Sequence, residues 1–282
     1  MEQVVLYSYF RIAAVALAAM PAAAQDAVEI VRRSVSQDQR NWDLARQYTY
    51  LERIEERKPA AKGAAPVAET RTYDVSILYG QPYRRLVERN DKPLNATEER
   101  KEQEKFDRVM NERSREPAEK RQRRLREFEN RRKREREFLR ELPDAYDFRL
   151  LGEELVGGRP AWKIEATPKP GYRPRNSLAR LLPKFRGTLW IDTSEHQWSR
   201  IESEAIDTVS WGLFLARLAR GTRFSFEQVR VNDEIWLPRR LCADFEIRLG
   251  LVKKLTREIE VSYRNYRKFQ SDSQVLATHE VP

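Results

Sequence analysis

The C-terminal third of the chain alternates apolar and polar residues with a period of two. Leu241, Phe245 and Leu249 fall on one side of this pattern, and Arg240 and Asp244 fall on the other. Successive side chains of a strand point to opposite faces, so the pattern predicts a strand with one apolar and one polar face.

Similar alternating segments occur earlier, from about Tyr48 to Val87 and from Tyr146 onward, and short polar links such as Thr193 to Gln197 join them. We count about ten such segments, and two-faced strands joined by short turns form an antiparallel meander. A meander of this size predicts a large curled sheet or an open barrel.

Two parts of the chain have a helical pattern instead. From Ala27 to about Gln47, apolar residues such as Val31 and Val35 recur at helical spacing among charged residues. The sequence therefore predicts an N-terminal helix and, with the strands, a mainly β protein of the α+β class.

The second helical part is a charged insertion at about residues 95–142. Between Glu98 and Leu142 it holds 17 Lys or Arg and 13 Asp or Glu. Asn95, three residues before Glu98, predicts a helix start of the capping-box kind, and Pro117 divides two helices or begins the second. The apolar stripe is too thin for the centre of a core. The insertion is either a solvated helix with i,i+4 ion pairs or a basic arm for anionic lipid or a protein partner.

The N-terminus indicates export. An apolar run from Ile12 to Met20 follows Arg11 and precedes small residues that end at Ala24, which is the order of a secretory signal peptide. The run is short for a membrane span. We expect residues 1–24 to be a signal peptide, with cleavage after Ala24, and residues 25–282 to form one domain in the periplasm, soluble or peripheral to the membrane. A wrongly assigned start codon or an uncleaved anchor is the alternative.

Composition and charge limit the classes of binding partner that we expect. The net charge of +10 is typical of proteins that bind nucleic acid or an anionic membrane surface, and export argues against nucleic acid. A well-solvated basic surface is the alternative. Cys242 is the single cysteine, so no intrachain disulfide can form and stability must come from an apolar core.

The residues that enzymes commonly use are scarce. The two histidines, His196 and His279, have no neighbouring Cys or His at metal-ligand spacing, and no nucleophile elbow, phosphate-binding loop or dinucleotide motif occurs. We therefore expect a binding protein with no catalytic residues, no cofactor and no metal site. A hydrolase that acts on envelope material is the least favoured alternative.

Two apolar segments break the alternating pattern, Val209 to Leu218 and Leu178 to Phe185. Each combines bulky apolar residues with nearby cations, as an element at a lipid headgroup boundary does. Each segment is either a lid over a lipid pocket or a plug that fills the open side of the sheet.

The order of these elements resembles a known family. The segments YTYLERIEER, GRPAWKIEA, GTLWIDTSEHQWSRIE and FSFEQVRVNDEIWLPRRL follow a signal peptide and an amphipathic helix. This series is similar to the periplasmic outer-membrane lipoprotein-sorting proteins of the LolA/LolB type, most clearly from Tyr146 to Phe269. The long charged insertion departs from that pattern and leaves the cargo and the handover partner open.

The resemblance implies an antiparallel open half-barrel whose concave apolar face holds acyl chains. It implies a carrier of lipid or of acylated lipoprotein; an envelope sensor or scaffold that docks a membrane protein on the same fold is the alternative. Alternation along the strands does not tell which face is concave. The ligand-binding candidates, on the strands or in the proposed lid, are Trp162, Trp190, Trp211, Phe214, Phe224, Phe226, Phe245 and Tyr263.

Overall fold

The computed structural model of the chain describes residues 20–58, 67–211, 216–249 and 253–268. Thirteen strands are present in this part of the chain. They are β1 (Tyr48–Lys58), β2 (Val67–Leu78), β3 (Gln81–Arg89), β4 (Lys92–Pro93), β5 (Tyr146–Val156), β6 (Arg159–Pro168), β7 (Phe185–Asp192), β8 (Trp198–Ala205), β9 (Val209–Trp211), β10 (Ala216–Leu218), β11 (Arg223–Val231), β12 (Ile235–Leu249) and β13 (Lys253–Lys268).

One open antiparallel sheet contains these strands. Eleven of them follow the order β4-β3-β2-β1-β13-β12-β11-β8-β7-β6-β5. Every pairing along this path is antiparallel, and in the described residues the end strands β4 and β5 are not paired with each other. The predicted α+β class with a large antiparallel sheet in an open half-barrel is confirmed.

The remaining two strands form a small hairpin from the segment Val209 to Leu218. β9 pairs with β10, and β10 pairs with the far end of β12, where Leu218 lies opposite Ile247. The hairpin thus extends the sheet beyond the point where β11 begins. Residues 212–215 of the proposed lid, which include Phe214, lie outside the described residues.

Four helices accompany the sheet: α1 (Met20–Ala45), α2 (Ala96–Ser114), α3 (Ala118–Glu137) and α4 (Leu142–Ala145). None of the described helices combines the length and the apolar character needed to cross a membrane. The predicted N-terminal helix is present as α1. The proposed signal peptide lies almost wholly outside the described residues.

The predicted start of the insertion is confirmed in detail. The Asn95 side chain accepts hydrogen bonds from the backbone N–H groups of Thr97 and Glu98, and the Glu98 side chain accepts one from the Asn95 backbone. This capping box satisfies backbone donors that the first helical turn leaves without partners. Pro117 is the N-cap of α3, so it separates the two helices.

The insertion has two different parts. Neither α2 nor α3 holds a buried residue. The end of the insertion is part of the core, because Phe138 and Leu142 pack against buried side chains. Ala145, which follows shortly after, is fully buried. The insertion thus contributes to the core where the chain returns to the sheet.

The main core lies between α1 and the sheet. Ala27 and Val31, one helical turn apart on α1, are fully buried against Ile164 of β6 and Ile191 of β7. Further along α1, Asn41 donates to the carbonyl oxygen of Trp236 at 2.6 Å and accepts from its N–H at 2.8 Å. Helix α1 therefore lies across the concave face of the sheet, from the strands of the main core to β12.

Gly187 allows β7 and β8 to approach closely. A methyl group at this position would overlap the carbonyl oxygen of Glu202 on β8. The backbone of a paired strand cannot move aside without disturbing the pairing, so this position requires glycine.

We expect Gly187→Ala to lower the free energy of unfolding by about 1–3 kcal/mol, because the added methyl group forces the paired strands apart. Chemical denaturation of the purified protein measures this change. Ser203→Ala, at the position paired with Gly187, is the control and should change stability by no more than about 0.5 kcal/mol. Equal stabilities for wild type and Gly187→Ala would contradict the close approach.

Candidate ligand-binding cavity

A cavity of about 540 Å³ lies between the concave face of the sheet, α1 and the end of the insertion. This volume is within the range of pockets that hold small organic ligands. Its floor is formed by residues of the sheet, among them Ala166, Leu189, Ile201, Phe224, Phe226 and Leu237. Its walls are formed by Trp42, Phe138, Leu139, Leu142, Leu178 and Leu181.

The strand pairing places apolar residues of the cavity floor side by side. Leu189 of β7 lies opposite Ile201 of β8, Ile201 lies opposite Phe226 of β11, and Phe226 lies opposite Leu241 of β12. Directly opposite residues of antiparallel strands point to the same face. One apolar row therefore crosses four neighbouring strands, and three of its members, Leu189, Ile201 and Phe226, line the floor of the cavity.

One wall is the segment before β7, where Ala179–Lys184 forms a 3-10 turn. Ala179 and Leu182 are buried in the core, and the Tyr146 hydroxyl donates to the carbonyl oxygen of Leu182 at 2.7 Å. Burial raises the pKa of Tyr146 above its ordinary value, because an ionised phenol would lose its hydration. Tyr146 is therefore a neutral donor that holds this wall against the sheet.

Glu141, which is 4% exposed, anchors the same wall from the insertion side. It accepts hydrogen bonds from the Tyr172 hydroxyl, from the backbone N–H of Arg175 at 2.9 Å and from the Asn176 side chain at 2.5 Å. Burial acts to raise the pKa of Glu141, but the bonds from Tyr172 and Arg175 outweigh it and hold the pKa below its ordinary value.

An ion pair lies at the helix side of the cavity. The Arg136 guanidinium of α3 donates to the carboxylate of Asp38 on α1, and both residues line the cavity. Arg136 also lies 4.2 Å from the ring of Trp42, and its Nε is buried without a hydrogen-bond partner. Burial lowers the pKa of Arg136 to about 10, which leaves it charged at neutral pH.

Beyond the cavity, the concave face becomes polar on β1, β2, β3 and β13. Tyr50 packs against Tyr263 and Tyr266, with ring centroids 5.7 and 5.5 Å apart. Glu52, beside them, forms an ion pair with Arg84. Burial raises the pKa of Glu52 despite the opposing charge of Arg84. The concave face thus has an apolar half, which contains the cavity, and a half rich in tyrosine and charge.

No protein-family model matches this chain, and no curated protein matches it. Several solved structures do. They include a DUF1329 family protein from Desulfovibrio piger (11% identity, TM-score 0.33, covering 89% of this chain and 95% of that one). A LolA superfamily protein from Nitrosomonas europaea matches at 12% identity and a TM-score of 0.28, covering 88% of this chain and 94% of that one.

A further match is the complex structure of MucA and MucB from Pseudomonas aeruginosa, at 13% identity and a TM-score of 0.26, covering 87% of this chain and 100% of that one. A LolA superfamily protein is thus among the matches, in line with the resemblance that the sequence shows. At these identities and TM-scores, none of the matching proteins transfers a ligand or a partner to this chain.

The structure brings two of the predicted site residues into the cavity. Phe224 and Phe226 line its floor. Phe245 shares their face of the sheet, two residues along β12 from the partner of Phe224, but is not among the lining residues. Trp211 lies in β9 with its side chain outside the description, and Phe214 lies outside the described residues.

The other predicted residues lie elsewhere. Trp162 faces the core beneath α1, with its ring 5.0 Å from that of His196. Trp190 follows Leu189 and so points to the opposite face of the sheet, where its Nε1 donates to Glu154 at 2.7 Å. Tyr263 belongs to the polar half of the concave face.

Several lining residues were not among the predicted set. Trp42 comes from the N-terminal helix, Leu139 from the insertion and Leu189 from the strand position beside Trp190. The concentration of apolar residues at the end of the insertion, just before Pro143, is the sequence signal that indicates part of this wall. Among the described residues, no group of three or more His, Cys, Asp or Glu is placed to hold a metal ion.

We expect Glu141→Gln to destabilise the protein by about 1–3 kcal/mol at pH 7, because an amide cannot accept all three hydrogen bonds. The pKa of Glu141 is lowered in the folded state, so its contribution is present above its ordinary pKa and is lost as pH falls through the lowered value. Unfolding of wild type and variant at pH 7 and pH 3 measures the difference, which should shrink at pH 3.

The control for this experiment is Glu137→Gln, whose side chain is exposed one turn earlier. It should match wild type at both pH values. A stability difference between wild type and Glu141→Gln that is the same at pH 7 and pH 3 would show that the charge of Glu141 has no part in holding the wall.

Proposed function

We propose that this chain is a periplasmic binding or carrier protein for a lipid, or for the acyl chains of a lipoprotein, held on its concave face. The observation that carries the proposal is the cavity of about 540 Å³ between the sheet and its helices, with aromatic and aliphatic side chains as both floor and walls. Such a lining favours a ligand with a long apolar portion.

The strength of binding can be estimated from the hydrophobic effect. Each methylene group moved from water into an apolar site contributes about 0.8 kcal/mol, so about ten buried methylenes contribute about 8 kcal/mol. That energy corresponds to a Kd of about 1 μM before the entropic cost of association is subtracted. A ligand with one or more chains of at least this length fits the proposal.

Ser203 offers a way to fill the cavity without removing core atoms. It lies on the cavity face of β8, opposite Phe224. We expect Ser203→Phe to weaken binding of a fluorescent fatty acid at least about 10-fold, because the new ring occupies the volume of the chain; a 10-fold change corresponds to about 1.4 kcal/mol. Fluorescence titration measures the affinity.

The matched control is Ser225→Phe, the same substitution on β11 but on the opposite face of the sheet, since Ser225 is the residue between Phe224 and Phe226. It should bind the probe as wild type does. The proposal fails if both well-folded variants bind the probe as tightly as wild type, or if wild type does not bind it.

The second candidate is an envelope sensor or scaffold that docks a membrane-protein partner, and the charge of α3 favours it. Within Ala118–Glu137 there are ten Lys or Arg and five Glu. Lys133 and Arg134 are exposed and form no ion pair with a described residue. Such a surface suits an anionic membrane or an acidic partner. Native mass spectrometry separates the candidates: co-purifying lipid supports the carrier, whereas a stoichiometric protein partner with an empty cavity supports the scaffold.

A further inference from the structure

The cavity has a charged edge where α3 meets α1. Of the four charged residues that border it, Arg186 and Glu202 lie at one side and are paired with Glu204 and Arg200. Asp38 and Arg136 lie at the helix side. A ligand whose polar end points to the helix side would therefore meet Asp38 and Arg136.

Two arginines of α3 converge there on one tryptophan. Arg132 and Arg136, one helical turn apart, each place the guanidinium carbon 4.2 Å from the ring of Trp42, which lines the cavity. Stacking on an aromatic ring holds a planar guanidinium in place while leaving its N–H groups free to donate at their edge.

The arginines at this edge differ in their ion pairs. Arg136 is paired with Asp38, and Arg46, the residue after α1, is paired with Glu129 at 2.7 Å. Arg132 forms no ion pair within the part of the chain that the structure describes, although it is half-buried. Burial, followed by repulsion from Arg46, lowers the pKa of Arg132 below its ordinary value, although Glu129 and Glu135 act in the opposite direction. Arg132 is thus the arginine stacked on Trp42 whose ion pair an incoming anionic group could supply.

Arg132 also lies at the border between the two halves of the concave face. Its charge acts on Tyr50, whose ring packs on Tyr266. Tyr266 in turn donates to the carbonyl oxygen of Pro238, a residue that lines the cavity. A ligand with its chain in the cavity would thus place its polar end at Arg132, facing the tyrosine-rich half.

We propose that the ligand of this cavity is an anionic amphiphile, whose carboxylate or phosphate group is bound by Arg132, with Arg136 beside it, at the Trp42 edge. The two donors of a guanidinium fork match the two oxygens of such a group. This inference rests on the proposed function, since it assigns the headgroup for a chain held in the same cavity.

The test compares two ligands with the same chain, palmitate and the uncharged monopalmitoylglycerol. We expect wild type to bind palmitate at least about 10-fold more tightly. Arg132→Gln should remove most of that preference while leaving the affinity for monopalmitoylglycerol unchanged, and Arg132→Lys should retain part of it. Isothermal titration gives the affinities, and thermal unfolding confirms that each variant is folded.

The matched control is Arg134→Gln, which removes the same charge from an exposed position on the same helix. It should keep the palmitate preference. Equal loss in Arg132→Gln and Arg134→Gln would overturn the proposal, because it would show a general effect of positive charge. The proposal would also be overturned if Arg132→Gln kept the same preference for palmitate as wild type.

Two further results distinguish the sources of failure. If neither ligand binds to wild type, the carrier function itself fails; if both bind equally, the carrier function stands and the headgroup assignment fails. Titration with inorganic phosphate and with palmitoyl lysophosphatidic acid separates a lipid headgroup from a free anion. Tight binding of the lysophosphatidic acid with weak binding of phosphate supports the proposal, and tight binding of phosphate alone overturns it.

Discussion

The structure depends on how the apolar concave face of an open sheet is covered. A closed barrel can fill its interior with its own side chains, but an open one exposes that face to water unless another element packs on it. Helix α1 performs this task. Ala27 and Val31 are small enough to bring the helix close to β5 and β7, and both are fully buried there. Asn41 then ties the far end of the helix to the backbone of β12 at Trp236.

Helix α1 covers the concave face only in part, and the cavity lies over the part of that face that α1 leaves open. The end of the insertion and the segment before β7 form the remaining walls, and their positions are coupled through buried polar groups. Glu141 joins these two elements by three hydrogen bonds, and Tyr146 joins the second one to the sheet. Buried polar groups that are fully satisfied define a single geometry, which apolar packing alone does less strictly. The walls of the cavity are therefore held more firmly than their short, irregular segments would suggest.

The charged insertion contributes to both surface and site. Its helices α2 and α3 bury no residue, so most of their charge is available to solvent or to a partner. One side of α3 nevertheless turns its arginines toward Trp42 and Asp38. The insertion, although polar almost throughout, thus supplies Arg136 to the lining of the cavity and places Arg132 on the ring of Trp42 beside it.

The sequence by itself determined the elements and the class of this protein. A period of two identified the strands and predicted a large curled sheet or an open barrel, and Asn95 with Glu98 and Pro117 located the helices of the insertion. The half-barrel was implied by the resemblance to lipoprotein-sorting proteins. Only the tertiary structure decided which residues line the cavity. Alternation assigns neighbours such as Leu189 and Trp190 to opposite faces but is symmetrical between those faces, so it cannot tell which one is concave. Trp42 and Arg136 lie far apart in the chain and meet only because α1 and α3 pack against each other. Such contacts depend on the path of the chain in space, and the local pattern of residues carries no record of it.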